Sequence, residues 1–195
     1  LTVLPAMEIT SREEVHVLAV FGRLEAALAM QETVYRRLPG ENRPDVFGLQ
    51  VLVNEDHDVT GFEPRLLAGA TESSLGEIVE QVHRLGGLAI AAHADREAFG
   101  LLGHLGFVPR GLMLDGLEVS SRLTLADFRR RWPECAGLAL LQFSDAHWPE
   151  QIGAAVTCFR LQRISIEELR SALACRDGRC ILGDQPGEEV SAWRN

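Results

Sequence analysis

A parallel α/β fold is what this sequence predicts, and three observations predict it. Apolar runs of strand length alternate along the chain with segments of helical spacing. Two of the runs, 88–92 (LAIAA) and 138–143 (LALLQF), end directly in ionisable residues, His93, Asp95 and Arg96 after the first and Asp145 and His147 after the second. No G-x-G-x-x-G or Walker loop is present, although an open doubly wound sheet usually carries one after its first strand. The chemistry-bearing residues instead follow several different strands. That distribution suits a barrel with one open face, where sites gather at the carboxyl ends of the strands.

Residues 1–4 (LTVL) read as a strand closed by Pro5, and Glu8 follows in MEIT. Residues 10–14 are polar and turn-like; 15–21 (VHVLAVF) form a second strand, nearly all apolar and so expected to be covered on both faces. His16 stands at its start. If these two strands pair antiparallel, Glu8 and His16 flank one connection, within reach of one ion. Helical spacing runs over 26–38, and Pro39-Gly40 ends it. The stretch 48–62 differs, with two β-rich runs around the acidic turn 54–58 that predict a hairpin inserted into the alternation. His57 lies in that turn and is expected to face solvent.

Ser74 and Glu77 form a capping box for a helix carrying Ile78, Val79, Val82 and Leu85, with His83 at its edge. Gly86 and Gly87 stop it before the strand 88–92. Residues 99–107 read as a short helix bearing His104. Residues 115–120 (DGLEVS) read as a strand whose Glu118 either lines a barrel interior or forms a salt bridge. A helix over 125–132 is stopped by Pro133 and followed by the strand 138–143. A strand over 154–160, a helix capped by Ser165 and Glu168 and running through Ala174, and a last strand over 179–182 complete the alternation. The expected organisation is one domain over 1–184 and a polar tail over 185–195, without internal repeats.

The formal net charge of −9 argues against a general nucleic-acid or anionic-membrane surface. No apolar run is long enough to cross a bilayer and no secretory signal is visible. Four cysteines without a C-x-x-C pair are expected to be reduced thiols of a cytoplasmic protein. These features predict no membrane and no general nucleic-acid surface; self-association into a homo-oligomer stays open, and the small phosphorylated substrate expected as partner comes from the ligand set and resemblance below.

Glu8, His16, His93, Asp145 and His147 each stand beside an apolar strand, and histidine with carboxylate is the ligand set for zinc, manganese or iron. Asp145 and His147 are two residues apart, which puts both side chains on one side of an extended segment. Such ligands around close ions suit phosphoryl transfer to water. Ser144 and Arg96 are placed to orient an anionic group, although Arg96 has Asp95 and Glu97 as ion-pair partners nearby.

Glu8 in MEIT, His16 in EVHVLAVF, His93 in GGLAIAAHADR and the run Ser144-Asp145-Ala146-His147 resemble the later motifs of the PHP (polymerase and histidinol phosphatase) family. The resemblance covers nearly all of 1–184. It implies a distorted seven-stranded β/α (TIM-like) barrel with two or three metal ions. Glu8 would be a metal-bridging carboxylate and His16, His93, Asp145 and His147 ligands, with His93, Asp145 and His147 at the centre of catalysis. Family members open with H-x-H and T-D-H motifs, which do not occur here, so the barrel is expected to be N-terminally incomplete. The implied activity is a metal-dependent phosphoesterase acting on a small phosphomonoester or nucleotide; the alternative is a PHP-like module that binds without catalysis. A metal hydrolase of C–N bonds built on a carbamylated lysine is disfavoured, because the chain contains no lysine.

Overall fold

The computed structural model describes residues 1–183; the stretch 185–195 expected to form a tail lies outside them. The central element is β5 (Leu88–Ala91), four apolar residues that are all buried. It runs antiparallel to β2 (His16–Val20) and parallel to β6 (Gly116–Glu118). β1 (Ala6–Thr10) pairs antiparallel with β2, and β7 (Leu140–Leu141) parallel with β6, giving a sheet of order β1-β2-β5-β6-β7.

Strand alternation gives the sheet two distinct faces. Ile9, Val17, Ala19, Ala89 and Ala91 point to one side, where they form the main core with helix residues. That side is covered by α1 (Leu24–Arg36), α3 (Leu75–Arg84), α4 (Leu101–Leu105) and α5 (Leu125–Arg131), which contribute Met30, Ile78, Val82, Leu101 and Phe128. The small alanines in β2 and β5 let the helices approach the sheet closely. Leu18, Val20, Ile90 and Leu141 point the other way and pack on a smaller cluster with Phe159, Leu173 and Ile181. Those three come from the antiparallel ribbon of β8 (Cys158–Arg160) and β9 (Cys180–Leu182) and from α6 (Ile166–Leu173), so the ribbon lies across the second face.

The expected seven-stranded barrel is not what these residues build. The chain is α/β, but the main sheet is mixed, has five strands and does not close among the described residues. The reason is directional. β2 is antiparallel to both its neighbours, so β1 enters by a tight turn rather than by the crossover that a parallel barrel repeats. At the other edge β7 is two residues long, and β8 pairs with β9 instead of extending the sheet. The expected strand over 1–4 is also corrected: the first strand is Ala6–Thr10, and Leu1 and Val3 are exposed. Pro5 ties this end in, its carbonyl accepting from the Phe21 N–H at 2.8 Å.

The segment between α1 and α3 holds α2 (Pro44–Phe47) and an antiparallel ribbon of β3 (Val51–Val53) and β4 (Val59–Phe62). Asn54 shapes its turn, the side-chain oxygen accepting from the N–H groups of Asp56 and Asp58 at 3.0 and 2.9 Å. Arg65 anchors the ribbon by donating to the carbonyls of Tyr35 and Leu38 at 2.6 and 2.9 Å. No helix among the described residues is long and apolar enough to cross a membrane.

Candidate metal centre

Three side chains from distant parts of the chain meet at one end of the sheet. Glu8 and His16 share the second face because both have even numbers in strands whose odd members, Ile9, Val17 and Ala19, face the helices. Pairing sets Thr10 opposite His16, which brings the start of β2 next to β1 and to the carboxyl end of β5. His93 lies two residues beyond β5 and adopts a left-handed backbone with φ +30°. That conformation is uncommon for a residue with a side chain. It is held by flanking backbone bonds: Ala92 N–H to the His16 carbonyl at 3.0 Å, Ala94 N–H to the Glu118 carbonyl at 2.7 Å, and Arg96 N–H to the His93 carbonyl at 2.9 Å.

The result is a compact donor set. His93 Nε2 lies 3.3 Å from Glu8 Oε1 and 3.3 Å from His16 Nδ1, and His16 Nδ1 is itself hydrogen-bonded to Glu8 Oε1. Each residue offers one ligand atom, all within 4.8 Å of one another. The hydrogen bonds from His16, and then from His93, hold the Glu8 carboxyl well below the usual carboxylate range, so it is ionised. Two imidazole nitrogens and an ionised carboxylate are the ligands a divalent transition ion takes. His93 is buried and turns its Nε2 toward the two other donors.

Neighbouring groups stiffen this arrangement. Glu118, at the end of β6, is buried and accepts the His93 N–H at 3.3 Å. Burial raises its carboxyl above the ordinary range; the His93 N–H and the charge on His93 oppose the rise, and Asp145 and Glu8 add to it. Among the described residues there is no barrel interior for it to line, as was one expectation; it is buried in the mixed sheet and bonds the His93 backbone instead. The Phe99 ring stacks on His16 with centroids 4.5 Å apart, and the Phe99 carbonyl accepts the His16 N–H at 2.9 Å.

Asp145 and His147 are not among the three residues that converge, and each has other partners. Asp145 Oδ2 pairs with Arg96 Nη2 at 2.7 Å, so Arg96 chooses Asp145 over Asp95 and Glu97. Asp95 accepts instead from the Ser120 N–H and hydroxyl at 2.7 and 2.6 Å. His147 is mostly exposed, its Nδ1 meeting the Asp145 carbonyl at 2.9 Å. The Ser144 hydroxyl is engaged within its own loop, donating to the Ala155 carbonyl at 3.1 Å and accepting the Gly153 N–H at 2.9 Å. The other histidines serve elsewhere: His83 pairs with Asp115 at 2.8 Å, and His57 sits exposed in its turn.

Sequence reasoning missed what supports His93 from behind. A Cβ on Gly100 or Gly103 would lie 2.3 or 2.0 Å from the Arg96 carbonyl oxygen. These two glycines let α4 pack against the loop that carries His93 and Arg96, and the Leu102 N–H donates to the Ala94 carbonyl at 2.8 Å. The G-x-x-G spacing just after AHADR was the available signal.

No protein-family profile matches the chain, and no curated protein matches it in sequence. Two solved structures do match in fold. The lesion-specific endonuclease Q of Pyrococcus furiosus superposes with a TM-score of 0.67 at 21% identity, over 91% of this chain and 40% of that one. Endonuclease Q in complex with a 27-mer duplex substrate, with an abasic lesion at the active site, superposes with a TM-score of 0.65 at 20% identity. It too is matched over 91% of this chain and 40% of its own length. At these identities the likeness is one of fold, and the chain spans about two fifths of the length of the proteins it matches. The expectation of a small substrate and no nucleic-acid surface is corrected by this finding, because the matching structures are of an endonuclease, one holding duplex DNA. Net charge averages the whole surface and does not by itself exclude a local site for nucleic acid.

Proposed function

We propose that the chain is a metal-dependent phosphodiesterase module of PHP type that acts on nucleic acid. The observation that carries this reading is the convergence of Glu8, His16 and His93 at one end of a sheet whose fold is shared with a lesion-specific endonuclease. Glu8, His16 and His93 would hold a zinc, manganese or iron ion, and Asp145 and His147 would complete a larger set of two or three ions. Such an ion supplies a hydroxide at neutral pH and neutralises charge on the phosphate oxygens. The chain's own groups would do the rest. Arg96 is within reach of Asp145 and carries the fixed positive charge that can hold a phosphodiester oxygen. Glu118 fixes the His93 backbone by accepting its N–H.

The test is cleavage of a duplex carrying an abasic site by the purified chain, with manganese or zinc and with chelator, alongside His93→Ala. Cleavage that needs metal and is lost in the variant supports the reading. Metal binding without cleavage would favour the second reading, a binding module without catalysis, which the engagement of Asp145 by Arg96 supports.

A further inference from the structure

We propose that Trp148 is a stacking platform for an unpaired nucleobase on the loop that follows β7; the inference rests on the nucleic-acid reading above and names the part of the substrate this residue takes. Trp148 directly follows His147 and is 69% exposed. The contrast with Trp132 is informative. Trp132 is buried in the core against Phe128, with ring centroids 4.8 Å apart, as a structural tryptophan should be.

The indole is exposed, yet its backbone is firmly held. Gln151 Oε1 accepts the N–H groups of both His147 and Trp148, at 2.8 and 3.2 Å. Pro149 opens the 3-10 turn Pro149–Gln151 and fixes its own φ. Ser144 closes the loop by bonding the Gly153 N–H and the Ala155 carbonyl. The loop is tied to the site by Asp145, whose carboxylate is paired with Arg96 on the His93 loop. Ile152 and Val156, also strongly exposed, extend the apolar surface of the same loop. A large flat ring on a pinned loop costs little further ordering when a ligand covers it.

The chemistry selects a base rather than a phosphate. The chain carries a net charge of −9, so general attraction to a polyanion is weak. Stacking on an aromatic face does not depend on that charge and contributes roughly 1–3 kcal/mol per base. Every base has such a face, so the platform recognises an unstacked base without reading its sequence.

The experiment compares two single strands of equal length and charge, one with bases and one built of abasic residues. Both are titrated into the wild-type chain, Trp148→Phe and Trp148→Ala, with intrinsic fluorescence and anisotropy as readouts. The wild type should prefer the base-bearing strand by roughly tenfold and should show quenching of Trp148. Trp148→Ala should lose the preference, and Trp148→Phe should keep most of it while losing the quench. Equal preference in wild type and Trp148→Ala overturns the inference. Cleavage of the abasic duplex, measured in parallel, reports separately on the nuclease reading. Preference lost in Trp148→Ala without any wild-type cleavage would retain the platform and remove the nuclease.

Discussion

Glu8 Oε1 is shared between two imidazoles, and this sharing determines what each residue of the cluster contributes. With both rings turned toward one ionised oxygen, an incoming cation replaces protons between groups already converged, so little rearrangement opposes binding. His93→Ala removes the most buried of the three proposed ligands and should weaken manganese or zinc binding by at least about tenfold. Isothermal titration calorimetry measures this directly, and an unchanged affinity would take His93 out of the coordination sphere. Asp145 tests a different step. Asp145→Asn keeps the shape but removes the charge paired with Arg96, and should lower turnover on an abasic duplex at least about a hundredfold. Turnover equal to wild type would leave Asp145 as a structural partner of Arg96 alone.

Among the elements, α3 and α4 carry the clearest consequences. α3 begins with a reciprocal cap, in which the Ser74 N–H donates to Glu77 and the Ser74 hydroxyl accepts the Glu77 N–H. The bonds from Ser74, aided by Arg37, hold the Glu77 carboxyl down at about 2. A carboxyl whose folded value lies below its ordinary 4.5 stabilises the fold fully above that pH, and the contribution fades as pH falls towards 2. Glu77→Gln should therefore flatten the loss of melting temperature across that acid window, and a profile parallel to wild type would count against the cap. At neutral pH, Ser74→Ala should cost about 1 kcal/mol. α4 acts on the site through its glycines. Gly103→Ala would drive a methyl group into the Arg96 carbonyl and should destabilise the chain by roughly 1–3 kcal/mol. Metal affinity should fall with it, because the displaced loop carries His93. Elements of this kind can be read from a sequence when their boundaries are chemical. The capping box marks α3, the glycines before Leu88 and the polar run after Ala92 mark β5, and Asn54 with its acidic neighbours marks the inserted ribbon.

At the scale of the molecule, the second face of the sheet depends on a ribbon that forms its own two-stranded sheet among the described residues and meets the end of β7 through the Thr157 side chain, bonded to the Gln142 backbone. Ile181 closes that face against Ile90 and Leu141, and Ile181→Ala should cost about 2–5 kcal/mol in chemical denaturation. A loss well below 1 kcal/mol would mean that the ribbon only rests on the sheet. Barrel closure was not legible in the sequence for the same reason. The apolar runs of β7, β8 and β9 are equally suited to extending a sheet or turning back as a ribbon, and strand direction is not encoded in alternation. The site was legible in its members more than in its grouping. His16 and His93 stand at or just beyond strand ends, whereas Glu8, expected to follow a strand over 1–4, is the middle residue of β1, and the antiparallel pairing of β1 with β2 brings it beside His16. The pairing of Asp145 with Arg96 is one that spacing does not specify.

Glu8 and His93 lie 85 residues apart in the chain, and their meeting has a kinetic consequence. The donor set exists only after β2 has paired with β5, which requires closing the long stretch that contains α1, the inserted ribbon and α3. A folding transition state that has not closed this loop offers no assembled ligand set. Manganese should then slow unfolding while leaving the refolding rate unchanged, as expected for a contact that forms late. In stopped-flow experiments the unfolding limb should fall with metal concentration and the refolding limb should stay in place. Acceleration of refolding by metal would instead place the β2–β5 ladder among the first structures to form.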